Sequence, residues 1–521
     1  MMKTATRLIF ILFLFYTFIL TAQERKQTID TDACTSVMVG KSASADGSTM
    51  TSHSCDSRTD RTWINVVPAK KYKPGKTVKI YKDSKNTKYY NDPAAVSVGE
   101  IPQAKETYAY INTAYPVMNE YQLAIGETTF GGKKEMVSSK GLLDCPELYR
   151  LALERAKTAR EAIRIIDELT KKYGYNDGGE CFTFADPNEV WHFEILGPGA
   201  GKIGAVWAAV RIPDYNIGVS VNLSRIREIN LKDPDNYMAS DNVFSLAQEM
   251  GFWKPEDGKP FEFCYAYADR KSMACRRREW RVLSIAAPSL NLDPNAENYP
   301  FSVKAEKKFT VKDILDIFRD YYQNTEFDMS ASVTAKDKDG KVIKSPVANP
   351  FMNNEYKELF KVKSERTIAC QRATYVQITQ SRNWLPNEIG GIVWLGYDNP
   401  VTTPHTPFYA GIKTMPKSYM IDGREKFRSD CAWWAFRQVS QLCYFRFQEM
   451  TQDVEKVWRG IENNAFNNQA EFEKKVLQAY KRDKAKARKM LTDYSVKTAE
   501  DAVNRYWQLT DELWSKYTNK F

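Results

Sequence analysis

Ala33-Cys34-Thr35-Ser36-Val37-Met38-Val39-Gly40, followed after Lys41 by Ser42-Ala43-Ser44-Ala45-Asp46-Gly47-Ser48, is the stretch on which the reading of the fold turns. It reads as a short strand opening on a cysteine, a polar turn closing on Asp46-Gly47, and a second strand through Thr49-Met50-Thr51-Ser52-His53. Asp-Gly between two extended runs is a strong hairpin signal, because tight strand reversals need residues that tolerate positive φ. The central expectation is that Cys34 becomes the first residue of the mature chain, with its thiol as nucleophile and its own freed amine as base. The plain alternative is a buried strand cysteine, since free cysteine is among the most buried residue types.

What precedes this stretch fits removal. Residues 1–22 read as a secretory signal: Lys3 and Arg7 give a basic start, Leu8 to Leu20 an apolar run, and Ala22 a small residue before Gln23. The apolar run is short for a membrane span. Leu20 stands where a small residue is preferred, so an uncleaved anchor is the alternative. Residues 23–33 are polar and without periodicity, a propeptide-like segment whose loss removes almost no apolar contact. Lipidation of Cys34 would require the cysteine directly behind the apolar run, and this charged spacer intervenes. The expectation is an exported protein, periplasmic or extracellular, with no stable membrane span after signal cleavage.

The totals bound the rest. A chain of 521 residues with 43% hydrophobic and 13% aromatic residues can bury a large core and is globular. Its net charge of +10 is spread along the chain without a dense basic block, which argues against a nucleic-acid groove. The nine cysteines form no regular framework, and their odd number leaves at least one outside any pairing within the chain.

Along the chain, strand-like runs are expected at 61–67, 107–113 and 122–127, with a solvated Lys- and Tyr-rich loop at 70–90 between the first two. Apolar residues at helical spacing predict helices over 146–153 and 158–173, with Gly174 as a stop. Extended pieces return at 181–184, 190–196, 203–212 and 217–223, with Asp186-Pro187-Asn188 as turn chemistry. Gly199-Ala200-Gly201-Lys202-Ile203-Gly204 matches a dinucleotide fingerprint in letters only, because the strand-like run 205–212 stands where that fingerprint needs a helix. Helices are predicted at 241–250, 269–285 and 311–323, the last with Thr310 as N-cap and Asp313 as its box partner. Strands are expected again at 368–379 and 391–397, and the chain reads helical from 432 onward.

Several chemistries find no motif. The three histidines, His53, His192 and His405, form no His-Glu-x-x-His, and no Cys-x-x-Cys exists, so neither a metal site nor a cofactor is expected. No Gly-x-Ser-x-Gly announces a serine hydrolase, and no papain-like signature surrounds a cysteine. A cysteine at a chain start needs no partner histidine, because an α-amine has a pKa near ~8 and can take the thiol proton itself.

Cys34-Thr35, Gly40, Ala43, Asp46-Gly47-Ser48 and the extended segment to Asp56 resemble the opening of the dipeptidase A-type cysteine peptidases. These are N-terminal nucleophile (Ntn) hydrolases, with penicillin V acylase and bile salt hydrolase as cousins. Gly126-Glu127-Thr128-Thr129-Phe130-Gly131-Gly132, Leu153-Glu154-Arg155-Ala156 with Ala159-Arg160-Glu161-Ala162, and Asp186 with Trp191 and Glu194 resemble the same family, in order from Cys34 to about Glu228. Arg382 to Trp394, with Leu385-Pro386 and Gly390-Gly391, is a weaker echo.

The resemblance implies an α+β fold, a four-layer αββα Ntn-hydrolase sandwich over 34–431, with an extra helical C-terminal region over 432–521. It also implies hydrolysis of dipeptides through a thioester acyl-enzyme, with small peptides as substrates and a homo-oligomer left open. Carried over residue by residue, Cys34 is nucleophile and amine base, and Asp56 is the acid that holds the amine. His53 stands where the acylase cousins carry arginine, a departure that makes the charge there depend on pH. Asn222 fits the side-chain oxyanion donor, and Arg225 and Arg382 are candidate clamps for a substrate carboxylate.

Each has a bland reading: Asp56 closing a turn, His53 a satisfied strand histidine, Asn222 a cap, the arginines surface ion pairs. Glu127, Asp186, Trp191 and Glu194 are read as architectural. The rival functions are an amidase or acylase of N-acyl amino acids or bile-salt-like amides, and a secreted binding protein with a dead site.

Overall fold

The predicted hairpin forms. In the computed structural model, which describes residues 33–57, 59–81 and 96–518, strands Ser36–Val39 and Thr49–Cys55 pair antiparallel with Val39 opposite Met50. Gly47 takes φ 82° in the turn, and Asp46 Oδ1 accepts hydrogen bonds from Ser48 N (3.0 Å), Ser44 Oγ (2.7 Å) and Ser48 Oγ (2.6 Å). Strand pairing begins later than expected: Cys34 lies ahead of the strand, tied in through the bridge between Thr35 and Ser54. The signal-like run 1–22 and residues 23–32 fall outside the described residues.

This hairpin is the centre of a seven-stranded antiparallel sheet. Across it run Ser302–Lys304, Asn216–Ser220, Ser36–Val39, Thr49–Cys55, Tyr375–Ser381, Ile392–Tyr397 and Thr406–Tyr409. A second antiparallel sheet of eight strands has Gly179–Ala185 and Val190–Leu196 at its middle, flanked by Ala124–Gly131 and Val206–Arg211. The fold is therefore α+β, with antiparallel pairing throughout both sheets and helices outside them.

The two sheets meet through strand Thr49–Cys55 of the first and strands Ala124–Gly131 and Gly179–Ala185 of the second. All seven residues of Thr49–Cys55 are buried although most are polar. In the sequence this strand is marked by the Asp46-Gly47 turn, not by an apolar pattern. Its hydroxyls are satisfied across the gap: Thr183 Oγ1 lies 2.7 Å from Ser36 Oγ and 2.6 Å from Thr51 Oγ1. Gly126 lets the sheets approach this closely, since a Cβ there would stand 2.2 Å from Ser52 O.

Helices cover both outer sides. Cys145–Arg155 and Ala159–Tyr173 pack on each other, and the latter lies against strand Val190–Leu196. Thr158 caps the second of these by accepting from Glu161 N, and Gly174 ends it at φ 73°. Met273–Ala286 and Val311–Phe318 lie against the seven-stranded sheet, and the predicted capping box of Thr310 and Asp313 opens the latter. That helix stops at Phe318, five residues short of the expectation.

The helical tail consists of Ala432–Cys443, Phe447–Tyr480 and Lys484–Tyr517. All three pack on the Ile392–Tyr397 and Thr406–Tyr409 edge of the seven-stranded sheet, and their apolar stripes join the main core. Among the described residues no helix is long and apolar enough to cross a membrane.

Other expectations need correction. Only Asn65–Val67 of 61–67 is strand, and 241–250 yields only the short helix Ser245–Glu249. The supposed loop 70–90 carries strand Lys70–Lys71 and strand Thr77–Tyr81, the latter paired with Ser97–Pro102. Its apolar signal rests on Val78 and Ile80 alone, which face inward from an otherwise mostly exposed strand.

Candidate active site

Cys34 sits at the entry to the central hairpin, buried to 2% exposure, with residues from four distant segments around it. Its backbone N–H donates to Asn222 Oδ1 at 2.8 Å. Asn222 follows the edge of strand Asn216–Ser220 and holds φ 60°, a left-handed conformation that asparagine tolerates better than most side chains. Its Nδ2 donates to Thr129 O at 2.8 Å, which fixes the amide's orientation.

Asp56 ends the second hairpin strand on the other side of Cys34. Its Oδ2 accepts from Ser54 Oγ at 3.2 Å and from Arg366 Nη2. Its Oδ1 is buried and has no hydrogen-bond partner among the described residues. Burial pushes the Asp56 carboxyl up, and the guanidiniums of Arg366 and Arg278 only partly offset this.

Two arginines not predicted from the sequence organise this centre. Arg278, fully buried on helix Met273–Ala286, donates through Nη1 to Cys34 O (2.6 Å) and Thr35 Oγ1 (2.9 Å). Through Nη2 it donates to Val221 O and Asn222 Oδ1, both at 3.0 Å. One planar fork thus ties the Cys34 backbone to the segment that ends on Asn222. Arg366 pairs with Asp56 and also donates to Ala33 O at 3.2 Å.

The third side of Cys34 is acidic. His53 and Glu127, on facing sheets, approach to 3.2 Å between Nε2 and Oε2, close enough to pair as ions but off the line of a hydrogen bond. The His53 ring is held edge-on to Tyr115 and Tyr375, with centroids 5.4 and 5.6 Å away. Burial acts to raise Glu127, but His53 outweighs it and holds that carboxyl below its ordinary range. Glu180 is pushed well up by burial and then by the charge of Glu127, so it keeps its proton. Glu127, which reads as architectural in the sequence, lies beside Cys34.

The Cys34 thiol itself is pushed well above its usual range, by burial first and then by Glu127. At neutral pH it is a thiol, not a thiolate, and needs a base to attack anything. The sulfur lies beside the Glu127 carboxylate and the Asp56 backbone N–H.

Arg225 and Arg382 are not carboxylate clamps. Arg225 is buried, pairs with Glu279 and donates to Val219 O and Pro300 O. Arg382 makes two bonds to Glu473, at 2.9 and 2.8 Å, and donates to Gly390 O and Ile389 O. Both guanidiniums are buried and paired with carboxylates of the protein itself. The remaining architectural readings agree with the contacts: Asp186 Oδ2 accepts from Ala159 N at the start of a helix, Trp191 Nε1 donates to Glu189, and Glu194 holds His192 and Ser224.

No disulfide joins the nine cysteines, and all nine are buried.

Known proteins carry the same pattern over most of this length. The model of Peptidase family C69 matches residues 33–460. A "Probable dipeptidase" of Latilactobacillus sakei is 26% identical over 447 residues, 82% of this chain and 85% of that protein. A "Probable dipeptidase B" of Lactococcus lactis subsp. lactis (strain IL1403) is 29% identical over 403 residues, 74% and 76% of the two chains. A "Dipeptidase" of Bifidobacterium longum (strain NCC 2705) is 24% identical over 458 residues, 81% and 79%. With a cysteine ringed by Asp56, Asn222 and two arginines at the start of the matched region, the chain belongs to Peptidase family C69 and is a hydrolase.

Proposed function

We propose that the protein is an exported cysteine dipeptidase in which Cys34, made N-terminal by removal of residues 1–33, is both nucleophile and base. Its α-amine takes the thiol proton as sulfur attacks the peptide carbonyl, and returns it to the leaving amine. Water then hydrolyses the thioester by the same route. Asp56, with its unpartnered Oδ1, holds and orients the ammonium. Asn222 keeps that nitrogen in place through Oδ1, and its Nδ2 carries a second N–H for the oxyanion. One such donor is typically worth about 10²–10³ in rate.

The observation that carries this reading is the convergence of Asn222 Oδ1 and Asp56 on the Cys34 end of the chain, with one carboxylate oxygen lacking a partner. The stacking of the two sheets, with helix Ala159–Tyr173 outside one and helices Met273–Ala286 and Val311–Phe318 outside the other, supports a four-layer αββα Ntn arrangement. The signal-like start of the chain supports export.

The test is N-terminal sequencing of the active protein, together with a substrate panel. The expected mature start is Cys34, the expected substrates are free dipeptides in preference to N-acyl amino acids or bile-salt amides, and Cys34→Ala is expected to abolish turnover. Full turnover in Cys34→Ala, or an active chain still carrying Asp32-Ala33, overturns the reading.

A further inference from the structure

The sequence contains no metal-binding motif, yet folding assembles a set of ligands that no local spacing announces. Cys34 Sγ, one His53 ring nitrogen and one Glu127 carboxylate oxygen all lie within 4.8 Å of one another, and all three residues are buried. Neither nitrogen of His53 has a hydrogen-bond partner among the described residues, and neither has Glu127 Oε2. Polar atoms short of hydrogen bonds are costly to bury, and here His53 Nε2 and Glu127 Oε2 face each other at 3.2 Å as an ion pair.

The donors are also held in place. Glu127 Oε1 accepts from Thr129 Oγ1 at 2.9 Å, which turns Oε2 toward the histidine. The rings of Tyr115 and Tyr375 pack edge-on against the imidazole and hold its plane. The 3.2 Å separation of His53 Nε2 and Glu127 Oε2 matches the edge of a tetrahedron built on zinc. Bonds of ~2.0–2.3 Å to nitrogen, oxygen and sulfur give edges of about 3.3–3.8 Å. The sulfur has at most about 1 Å to travel to complete the third corner.

We propose that Cys34, His53 and Glu127 form a binding site for a borderline-soft divalent cation of the zinc type, and that the bound ion masks the nucleophile. Thiolate, imidazole and carboxylate together select such an ion over magnesium or calcium, which take oxygen ligands. On binding, the S–H bond breaks, its proton leaves to solvent and a sulfur–metal bond forms, so the lone pair that would attack a carbonyl is occupied. The fourth corner falls to water, or to the Cys34 amine once that amine exists. The site itself needs only the three side chains; masking of turnover rests on Cys34 being the nucleophile.

Cobalt(II) reads the sulfur bond directly. Titrating the purified protein with Co²⁺ is expected to give an intense near-ultraviolet sulfur-to-cobalt charge-transfer band that saturates at one equivalent and is absent from Cys34→Ser. In competition against a chromophoric chelator, His53→Gln and Glu127→Gln, each checked for folding by circular dichroism, are expected to weaken Zn²⁺ binding by more than the about 10–100-fold typical of outer-shell losses. Zn²⁺ is expected to stop dipeptide hydrolysis and a chelator to restore it.

The wild-type spectrum alone can overturn the site: no charge-transfer band with Co²⁺ ends it, as does unchanged Zn²⁺ affinity in His53→Gln. A one-equivalent band without any inhibition refutes the masking and points to failure of the nucleophile assignment instead. Absence of dipeptide hydrolysis in metal-free protein refutes the functional reading while leaving the spectrum to judge the site.

Discussion

Asp56 is the residue at which burial and charge are most closely opposed. Burial raises its carboxyl, and Arg366 is the first of the two guanidiniums that pull it back. Arg366 is therefore a positioning residue acting through Asp56. Replacing it by methionine removes the larger counter-charge, so the Asp56 pKa rises and the acid limb of the kcat/KM profile moves to higher pH. A merely structural arginine would lower activity at all pH values and leave that limb in place.

Among single residues, Cys34, Asp56, His53 and Asn222 could be singled out because three of them sit within one short segment and the fourth lies near the end of a predicted strand; the fold brings all four together. Arg278 was not legible. The run Arg276-Arg277-Arg278 reads as the solvated face of a helix, yet Arg277 and Arg278 are both buried. Arg225 and Arg382 failed for a related reason: a sequence says that a guanidinium exists, and only the fold says that Glu279 and Glu473 have already claimed it.

Between elements, the tightest constraint is at Gly126. Any side chain there drives a Cβ to 2.2 Å from Ser52 O, a backbone atom that cannot rotate away. Gly126→Ala must part the two sheets beneath Cys34, and overpacking of this kind costs about 1–3 kcal/mol. Thermal unfolding is expected to shift down by several degrees, with turnover falling further than stability accounts for.

A second junction joins the tail to the sheet. Arg319, following helix Val311–Phe318, reaches Glu462 on Phe447–Tyr480, with Nη2 at 2.5 Å from Oε1. Burial acts to raise Glu462, but Arg319 and His405 outweigh it and hold the carboxyl at about 2. A folded pKa below the ordinary 4.5 means stability that is present above pH 4.5 and is lost as pH falls through about 2. That window is worth roughly 3 kcal/mol. Glu462→Gln should flatten the acid limb of a stability–pH curve across it, and at neutral pH should cost about 3–5 kcal/mol, since it strands a buried guanidinium. Chemical denaturation at a series of pH values measures both. Helices of this kind were legible from spacing and caps, whereas hairpin Thr77–Tyr81 with Ser97–Pro102 was hidden by its charge.

At the scale of the molecule, the sequence located the central hairpin and the helical tail but not their relation. The tail covers one edge of the same sheet whose central hairpin follows Cys34, and Glu462 and Glu473 are its two buried anchors. Deleting residues 447–517 therefore exposes an apolar sheet edge and leaves Arg319 and Arg382 unpaired. The shortened chain is expected to be insoluble or to lose its cooperative transition, which expression and calorimetry would reveal; an active, cooperatively folding remnant would make the tail an appendage. This relation was beyond the sequence because it rests on pairs such as Arg382 with Glu473, far apart in the chain and each unremarkable alone.

The orphaned oxygen of Asp56 carries a last implication. That oxygen is buried, with no hydrogen-bond partner among the described residues. On the proposed cleavage ahead of Cys34, an ammonium would form on the residue that Asp56 flanks, so activation would also supply a partner that the uncut chain lacks. A nick ordinarily loosens a protein; here the trimmed form should outlast its precursor on heating, and irreversibility of maturation would come from the folded state itself rather than from the loss of the leader alone.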